Sequence, residues 1–255
     1  FPTRRSSDLG RDDRHPLSLS NGLDVSSIAF TPQALKGLRI GWLGDLKGHL
    51  ATEPGILDAC DEALRVMQDA GAIVEPTTLG YDTTTLWECW LVWRRALVGP
   101  KVAALLPLPH AAEWLKPEAL WEYDHSLKLS YMDFQQASQR RTHFYHQMLQ
   151  HFQTCDVLAL PVTQVWPFPL AERWPQRIGD RPMDTYHRWM ECTIYATLAG
   201  LPALSMPAGF HPQHRWPMGI QLIGKPQGDL ALLQVAAAYE AVRQAWLEQR
   251  PGEPS

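Results

Sequence analysis

The sequence predicts an α/β fold in which a mixed β-sheet is flanked by helices on both faces. Short β-prone runs bounded by Gly and Pro alternate with longer segments whose apolar residues recur at helical spacing. The first strand, helix and strand have the length of a βαβ unit, which favours parallel neighbours in a sheet. With 255 residues, 45% of them hydrophobic, the chain can bury a substantial core.

The βαβ unit is predicted from three segments near the start of the chain. Residues 37–43 alternate apolar side chains with Arg and Gly and predict a strand. Residues 54–71 predict a helix, because Pro suits its first turn and Gly its end. Residues 72–79 return as a strand, and residues 83–99 then predict a second, strongly apolar helix that ends at Gly99.

The second half of the chain also alternates predicted helices and strands. A long amphipathic helix at 131–152 leads directly into a buried strand at 156–162. The Pro- and Trp-rich loop at 163–181 is longer than a plain connector requires, and loops of this kind often line a site. The remaining predicted elements are a helix at 184–199, strands at 203–207 and 219–224, and a helix at 230–248.

Composition argues against several classes of protein. A net charge of −4 with scattered positive residues does not favour nucleic acid as a partner. No apolar run approaches the roughly 20 residues of a membrane helix, so we expect no membrane partner and a cytoplasmic protein. The four cysteines contain no CxxC pair, which predicts reduced thiols rather than a zinc ribbon or a disulfide framework. No cofactor is indicated.

Two local patterns suggest other chemistry. His143 and His146 lie three residues apart with His151 nearby, which is metal-ligand spacing, but no carboxylate or Cys cluster accompanies them and a solvated helix face is favoured. Cys155 with His151 could form a thiol nucleophile and its base. Because Cys155 begins a buried strand, an inert packed thiol is the better interpretation. We therefore predict no metal site.

Three segments resemble, in order, the motifs of the amidase signature family, serine hydrolases that cleave amide bonds. Residues 156–163, DVLALPVT, resemble its strand motif D-hydrophobic-L-hydrophobic-T-P-T, with Leu and Val at positions that are often Thr. Residues 199–209, AGLPALSMPAG, resemble NLAGLPAxSxPxG, although Thr197 stands where Asn is usual. Residues 218–229, MGIQLIGKPQGD, with a later Tyr-Glu pair, resemble VGLQLIGRPFGD…YE. The match spans most of residues 10–240.

The resemblance implies a Ser nucleophile, a bridging Ser and a Lys base, and this sequence offers no such set. Its Ser-Ser pairs are Ser6-Ser7 and Ser26-Ser27, the second in a Gly-poor context, and no Lys precedes Lys36. A hydroxyl attacks an amide only with a base and oxyanion donors beside it. We therefore assign no catalytic residue, and we expect a fragment of an amidase that lacks the Ser-Ser-Lys half.

The ends of the chain are interpreted accordingly. Residues 1–9, FPTRRSSDL, look like a translated sequencing adapter, so we treat them as an artefact. Residues 10–250 are predicted to be the C-terminal part of a single amidase domain, and residues 251–255 a frayed tail.

The resemblance implies that this portion supplies the substrate pocket. Thr163, Gln164 and Trp166 follow the strand whose end approaches the acyl or leaving group in related enzymes. Trp87 and Trp90 lie on a helix that matches a region lining apolar channels in some members. Ordinary core packing is the favoured explanation of the helix tryptophans, and strand-end hydrogen bonds explain Thr163 and Gln164 equally well.

The expected substrate is a small-molecule amide, and a homodimer remains open. Within the enzyme hypothesis the alternative is the A subunit of glutamyl-tRNA amidotransferase, whose ammonia must pass to a partner subunit. The Trp-rich, rather apolar loops suit a stand-alone amidase better. A non-catalytic binding module is the alternative from another class.

Overall fold

The computed structural model describes Arg14 and residues 25–243. Its main feature is a five-stranded mixed sheet in the order β2-β1-β3-β7-β6, and a separate hairpin pairs β4 with β5. The strands are β1 Arg39–Trp42, β2 Ile73–Pro76, β3 Val157–Pro161, β4 Arg177–Ile178, β5 Arg181–Pro182, β6 Ala203–Phe210 and β7 Pro217–Ile223. The α-helices are α1 Ile56–Asp69, α2 Thr83–Leu105, α3 Ala111–Trp114, α4 Pro117–Ser126, α5 Tyr131–His151, α6 Ile194–Ala199 and α7 Asp229–Val242.

The predicted βαβ unit is present as β1, α1 and β2. The two strands run parallel, with Arg39 opposite Ile73 and Trp42 opposite Pro76. Helix α1 buries one stripe of side chains, and Gly71, at a φ of 103°, carries the chain from the helix towards β2 in a conformation that favours glycine. The stripe consists of Ile56, Cys60, Ala63, Leu64 and Met67.

The order of the strands determines where a site can form. Strand β3 runs parallel to β1 and antiparallel to β7, and β7 is antiparallel to β6. Strands β1, β2, β3 and β6 therefore all end at the same edge of the sheet, which we call the carboxyl edge. In open α/β sheets ligands bind outside the carboxyl ends of the strands.

Helices cover both faces of the sheet, as the sequence predicts. On one face α2, α5 and α6 pack on Leu158 and Leu160 of β3 in a first core cluster. On the other face α1 and α7 pack on Val157 and Ala159 in a second cluster. All five residues of β3 are buried because the strand is covered on both sides.

Helix α2 is longer than predicted. It does not end at Gly99 but continues through Pro100 to Leu105. Gly99 is buried at the contact with α4, where a Cβ atom would overlap the Ser126 side chain. The glycine thus permits close helix packing and does not stop the helix.

Other boundaries also differ from the prediction. The helix predicted at 184–199 is a 3-10 helix, Arg188–Thr193, followed by α6, with Met190 in a non-helical conformation. The loop predicted at 163–181 contains β4 and leads into β5. The predicted end of the last helix, the adapter-like residues 1–9 and the tail 251–255 lie outside the described residues, and the division of the chain at 9 and 250 stays a prediction.

Candidate functional site

Trp166 lies at the carboxyl edge, just after β3, and is held on three sides. Its backbone N–H donates to Glu53 Oε2 at 2.6 Å, and its indole Nε1 donates to the Pro54 carbonyl at 3.0 Å. The edge of its ring meets His211 with the centroids 4.9 Å apart. With 5% of its surface exposed, Trp166 belongs to the second core cluster.

Gln164 connects two loops of the carboxyl edge. Its Nε2 donates to the Ala51 carbonyl at 2.9 Å, and its Oε1 accepts from the Cys192 backbone N–H at 3.3 Å. The side chain is buried and both amide atoms are engaged, so Gln164 cross-links its neighbours. The half-buried hydroxyl of Thr163 lies 3.4 Å from the Val165 backbone nitrogen and closes a local turn.

Trp87 and Trp90 form a stacked pair on α2, with ring centroids 5.3 Å apart. The Arg188 guanidinium lies 3.7 Å above the Trp87 ring, and the ring of His187 meets that of Trp90 edge-on at 4.7 Å. Trp87 is buried, whereas Trp90 is only partly covered. A cation so close to an indole face stabilises both groups, since the ring face carries negative potential.

The 3-10 helix Arg188–Thr193 lies between the two groups of predicted residues. Its Arg188 covers Trp87, and its Cys192 bonds Gln164. Trp87 nevertheless belongs to the first core cluster and Trp166 to the second. The structure therefore places the predicted residues around one short helix and does not bring all of them to a single point.

A buried carboxylate that the sequence analysis missed anchors that helix. Glu191 is 1% exposed and accepts three hydrogen bonds between 2.7 and 3.0 Å. Burial alone would raise the pKa of Glu191, but the hydrogen bonds from His49 and Arg188 outweigh it and hold that pKa below its usual value. The donors are His49 Nε2, the Tyr195 hydroxyl and Arg188 Nη1.

A second missed carboxylate, Glu122, is fully buried and bonds His187, whose ring meets that of Trp90. Its Oε1 accepts three bonds of 2.9, 3.0 and 3.1 Å. Burial opposes its charge, but the bonds from His187 and Arg94 keep the pKa of Glu122 below its usual value. Burial lowers the pKa of His187, so the imidazole is neutral at pH 7. The donors are Arg94 Nε, the Tyr186 hydroxyl and His187 Nε2.

One sequence signal marks both carboxylates, although it also marks Glu88 in LWEC, whose side chain is 61% exposed. Glu122 lies within LWEY and Glu191 within WMEC, so each acid is flanked by large apolar side chains. An acid in such a setting is almost never fully buried unless it is paired.

A cavity of about 480 Å³ opens between α2, α5 and residues 190–198. Trp90 and Trp93 form aromatic walls, while Leu97, Ile194 and Leu198 contribute aliphatic surface. The volume falls within the range of pockets for small molecules. The charged side chains at this cavity are Arg94, Lys101 and Arg141.

The serines with a described hydrogen bond and the cysteines are not set up as nucleophiles, whereas the Thr83 and Thr185 hydroxyls lie 3.0 and 2.8 Å from Nδ1 of His49 and of His187. Ser126 and Ser138 donate to backbone carbonyls, and Ser130 caps α5 together with Asp133. The cysteines are buried and free. Burial raises the pKa of Cys60 to about 12 and that of Cys89 to about 11, and it also raises that of Cys192.

The structure also shows the surroundings of the histidines proposed as metal ligands and of Cys155 with its candidate base His151. The His151 ring bonds the Leu79 carbonyl at 3.2 Å, while Cys155 contacts the Thr154 hydroxyl. His143 and His146 are exposed on α5. In this part of the chain no three His, Cys, Asp or Glu side chains gather as a metal site, and none of the helices is long and apolar enough to span a membrane.

The fold and the cavity define an α/β protein with a cavity of small-molecule size among the helices that cover one face of its sheet. A family model for amidases matches residues 9–233. The chain belongs to the amidase family, and the resemblance of its motifs is confirmed.

Known relatives differ in reaction. The A subunit of glutamyl-tRNA(Gln) amidotransferase from Dehalococcoides mccartyi is 33% identical, with 90% of this chain and 52% of that protein covered. An acylamidase from Rhodococcus erythropolis is 26% identical, with 96% and 50% covered. A bacterial aryl acylamidase of the amidase signature family has a similar structure, with a TM-score of 0.79, 26% identity, and 91% and 49% covered. The chain thus spans about half the length of the curated relatives it matches.

Proposed function

We propose that residues 25–243 form the substrate-side wall of an amidase that cleaves carboxamide C–N bonds through a Ser acyl-enzyme. The observation that carries this proposal is the family match over residues 9–233, together with a cavity of suitable size in the fold that bears it. We assign the described residues to the wall of the site and assign none of them as the nucleophile. The Ser, Ser and Lys that such chemistry needs would come from residues outside this stretch.

The predicted pocket residues take different roles in this proposal. Trp90 is half-buried and lines the cavity, so among the predicted tryptophans its ring is available to contact an acyl or aryl group. Thr163 is half-buried at the carboxyl edge; its hydroxyl donates to the Val165 carbonyl, so towards the substrate it would act as a hydrogen-bond acceptor. Trp87, Gln164 and Trp166 are buried and act as positioning residues behind that surface.

This wall would contribute binding and desolvation. An amide held against Trp90 loses water, and loss of water strengthens the interactions that stabilise an oxyanion elsewhere in the site. Orientation of the amide by a rigid wall lowers the entropy cost of attack. The Glu122 and Glu191 networks keep the wall rigid through bonds between distant segments.

The substrate of the proposed enzyme is a small acyl amide. The TM-score of 0.79 with the aryl acylamidase and the aromatic cavity favour a stand-alone amidase. The 33% identity with an amidotransferase A subunit favours the second candidate, in which the released ammonia passes to a partner. We also propose a cytoplasmic protein, since all four thiols are free. A homodimer stays a prediction.

The test is hydrolysis of an acyl anilide by the full-length protein and by its Trp90→Ala variant. We expect Trp90→Ala to raise KM about tenfold, the effect of roughly 1.4 kcal/mol of lost contact. Trp114→Ala is the matched control, because that tryptophan is 73% exposed on α3. Equal KM values for the two variants would exclude Trp90 from the pocket, and absence of amide hydrolysis would refute the proposed function.

A further inference from the structure

We propose that the cavity between α2, α5 and residues 190–198 binds a carboxylate carried on an aromatic or aliphatic body. If this ligand is the substrate, the substrate is an amide with a carboxylate remote from the scissile bond, and that conclusion rests on the proposed function. The binding of the carboxylate itself is inferred from the lining of the cavity alone.

The charge of the lining points to an anion. Arg94, Lys101 and Arg141 are the charged residues among its twelve lining residues, and none of the twelve is acidic. The carboxylate behind this surface is Glu122, which accepts from Arg94 Nε at 2.9 Å. One buried negative charge against three positive charges leaves an excess of two on the cavity wall.

The cations retain the donors that an anion needs. Arg94 uses Nε for Glu122 and Nη2 for the Tyr186 hydroxyl, which leaves its Nη1 group. Arg141 uses Nε for the Leu198 carbonyl, which leaves both terminal amino groups of its guanidinium. Lys101 is exposed and makes no hydrogen bond or ion pair with any residue in the described part of the chain. Guanidinium groups suit the planar, two-oxygen shape of a carboxylate.

The rest of the cavity lining indicates the chemistry of the part of the ligand that carries the carboxylate. The Arg141 guanidinium lies 4.6 Å from the centroid of the Trp93 ring, so one arginine is held at an aromatic wall. The hydroxyls of Thr193 and Thr197 donate to helix carbonyls and so are not donors to an anion. A volume of about 480 Å³ with these walls accommodates an arylalkyl carboxylate.

The experiment titrates the 255-residue chain with 4-phenylbutyrate and, in parallel, with its neutral analogue 4-phenylbutanamide. Tryptophan fluorescence is the readout, because Trp90 and Trp93 line the cavity. We expect the carboxylate to bind about tenfold more tightly than the amide, and the preference to shrink at high salt. Equal affinities for the two ligands would overturn the proposal.

Charge reversal locates the site. Lys101→Glu is expected to weaken 4-phenylbutyrate about tenfold and to leave 4-phenylbutanamide unchanged. Lys128→Glu makes the same charge change at an exposed lysine that does not line the cavity, and is expected to leave both affinities unchanged. Equal effects of the two variants on 4-phenylbutyrate would overturn the assignment to this cavity.

These titrations need no catalysis. A chain that binds 4-phenylbutyrate as described, within a protein that hydrolyses no amide, would refute the proposed function and keep the carboxylate site. A protein that hydrolyses neutral and carboxylate-bearing anilides with equal kcat/KM would refute the substrate statement and keep the amidase.

Discussion

Replacement of Glu191 by Ala tests whether the buried carboxylate holds the 3-10 helix in place. The change removes the acceptor of His49, Arg188 and Tyr195 at once. The Tyr195 hydroxyl belongs to a fully buried residue, and the Arg188 side chain is only 15% exposed, so neither gains good access to water. An unpaired buried donor costs about 1–3 kcal/mol, and breaking a buried ion pair costs about 3–5 kcal/mol.

The cost of the unpaired donors and the cost of the broken ion pair are not additive, because Arg188 and His49 contribute to both. Arg188 keeps its two hydrogen bonds to Asp184, so its charge stays paired, and we expect Glu191→Ala to lower the free energy of unfolding by about 2–3 kcal/mol. Glu191→Gln keeps one acceptor for both Tyr195 and His49 but turns its NH₂ group towards Arg188, and should cost about half as much. For a chain of this size each 1 kcal/mol lowers Tm by roughly 2–4 °C.

The assay is urea unfolding followed by circular dichroism at pH 7. Glu62→Ala is the control, since Glu62 pairs with Arg65 at a site where both side chains are more than half exposed, and it should change stability by less than about 0.5 kcal/mol. A loss below about 1 kcal/mol for Glu191→Ala would show that the network contributes little, and would refute the argument that it fixes the pocket wall.

Two further variants test other parts of the fold. Gly99→Ala should destabilise the protein by about 1–3 kcal/mol, because the added Cβ overlaps the Ser126 side chain. This cost exceeds the gain from the higher helix propensity of Ala. The double variant Gly99→Ala with Ser126→Gly should recover most of the loss. His187→Gln should flatten the pH dependence of stability below pH 6.5. Burial lowers the pKa of His187, so as the pH falls through 6.5 the unfolded chain takes up a proton that the folded chain does not, and the wild type loses stability. Urea unfolding at pH 5.5 and 7.5 measures the slope, and exposed His143→Gln should keep it; a slope unchanged in His187→Gln would contradict the assignment.

The sheet and its layers could be predicted from sequence because their signals are local. Strand β3 is an apolar run, and α1 has a clear helical stripe between Pro54 and Gly71. The parallel pairing of β1 and β2 follows from the length and handedness of the connection. The same local reasoning failed at Gly99, since the reason for that glycine is a contact with Ser126 on another helix.

The candidate site was less predictable because its contacts join distant residues. His49 and Glu191 are 142 positions apart, and Glu122 and His187 are 65 apart. Periodicity carries no information about such pairs. The motif at 156–163 did lead to Gln164 and Trp166, but the extent of their burial depends on residues 51–54, which no motif names.

The central claim is most directly tested by the gene that contains the codons for residues 10–243. We predict that this gene also encodes a Gly-rich Ser-Ser segment with a preceding Lys, and that its protein hydrolyses an acyl anilide while the 255-residue chain does not. A gene product without that serine-lysine set, or amide hydrolysis by the 255-residue chain alone, would contradict the account.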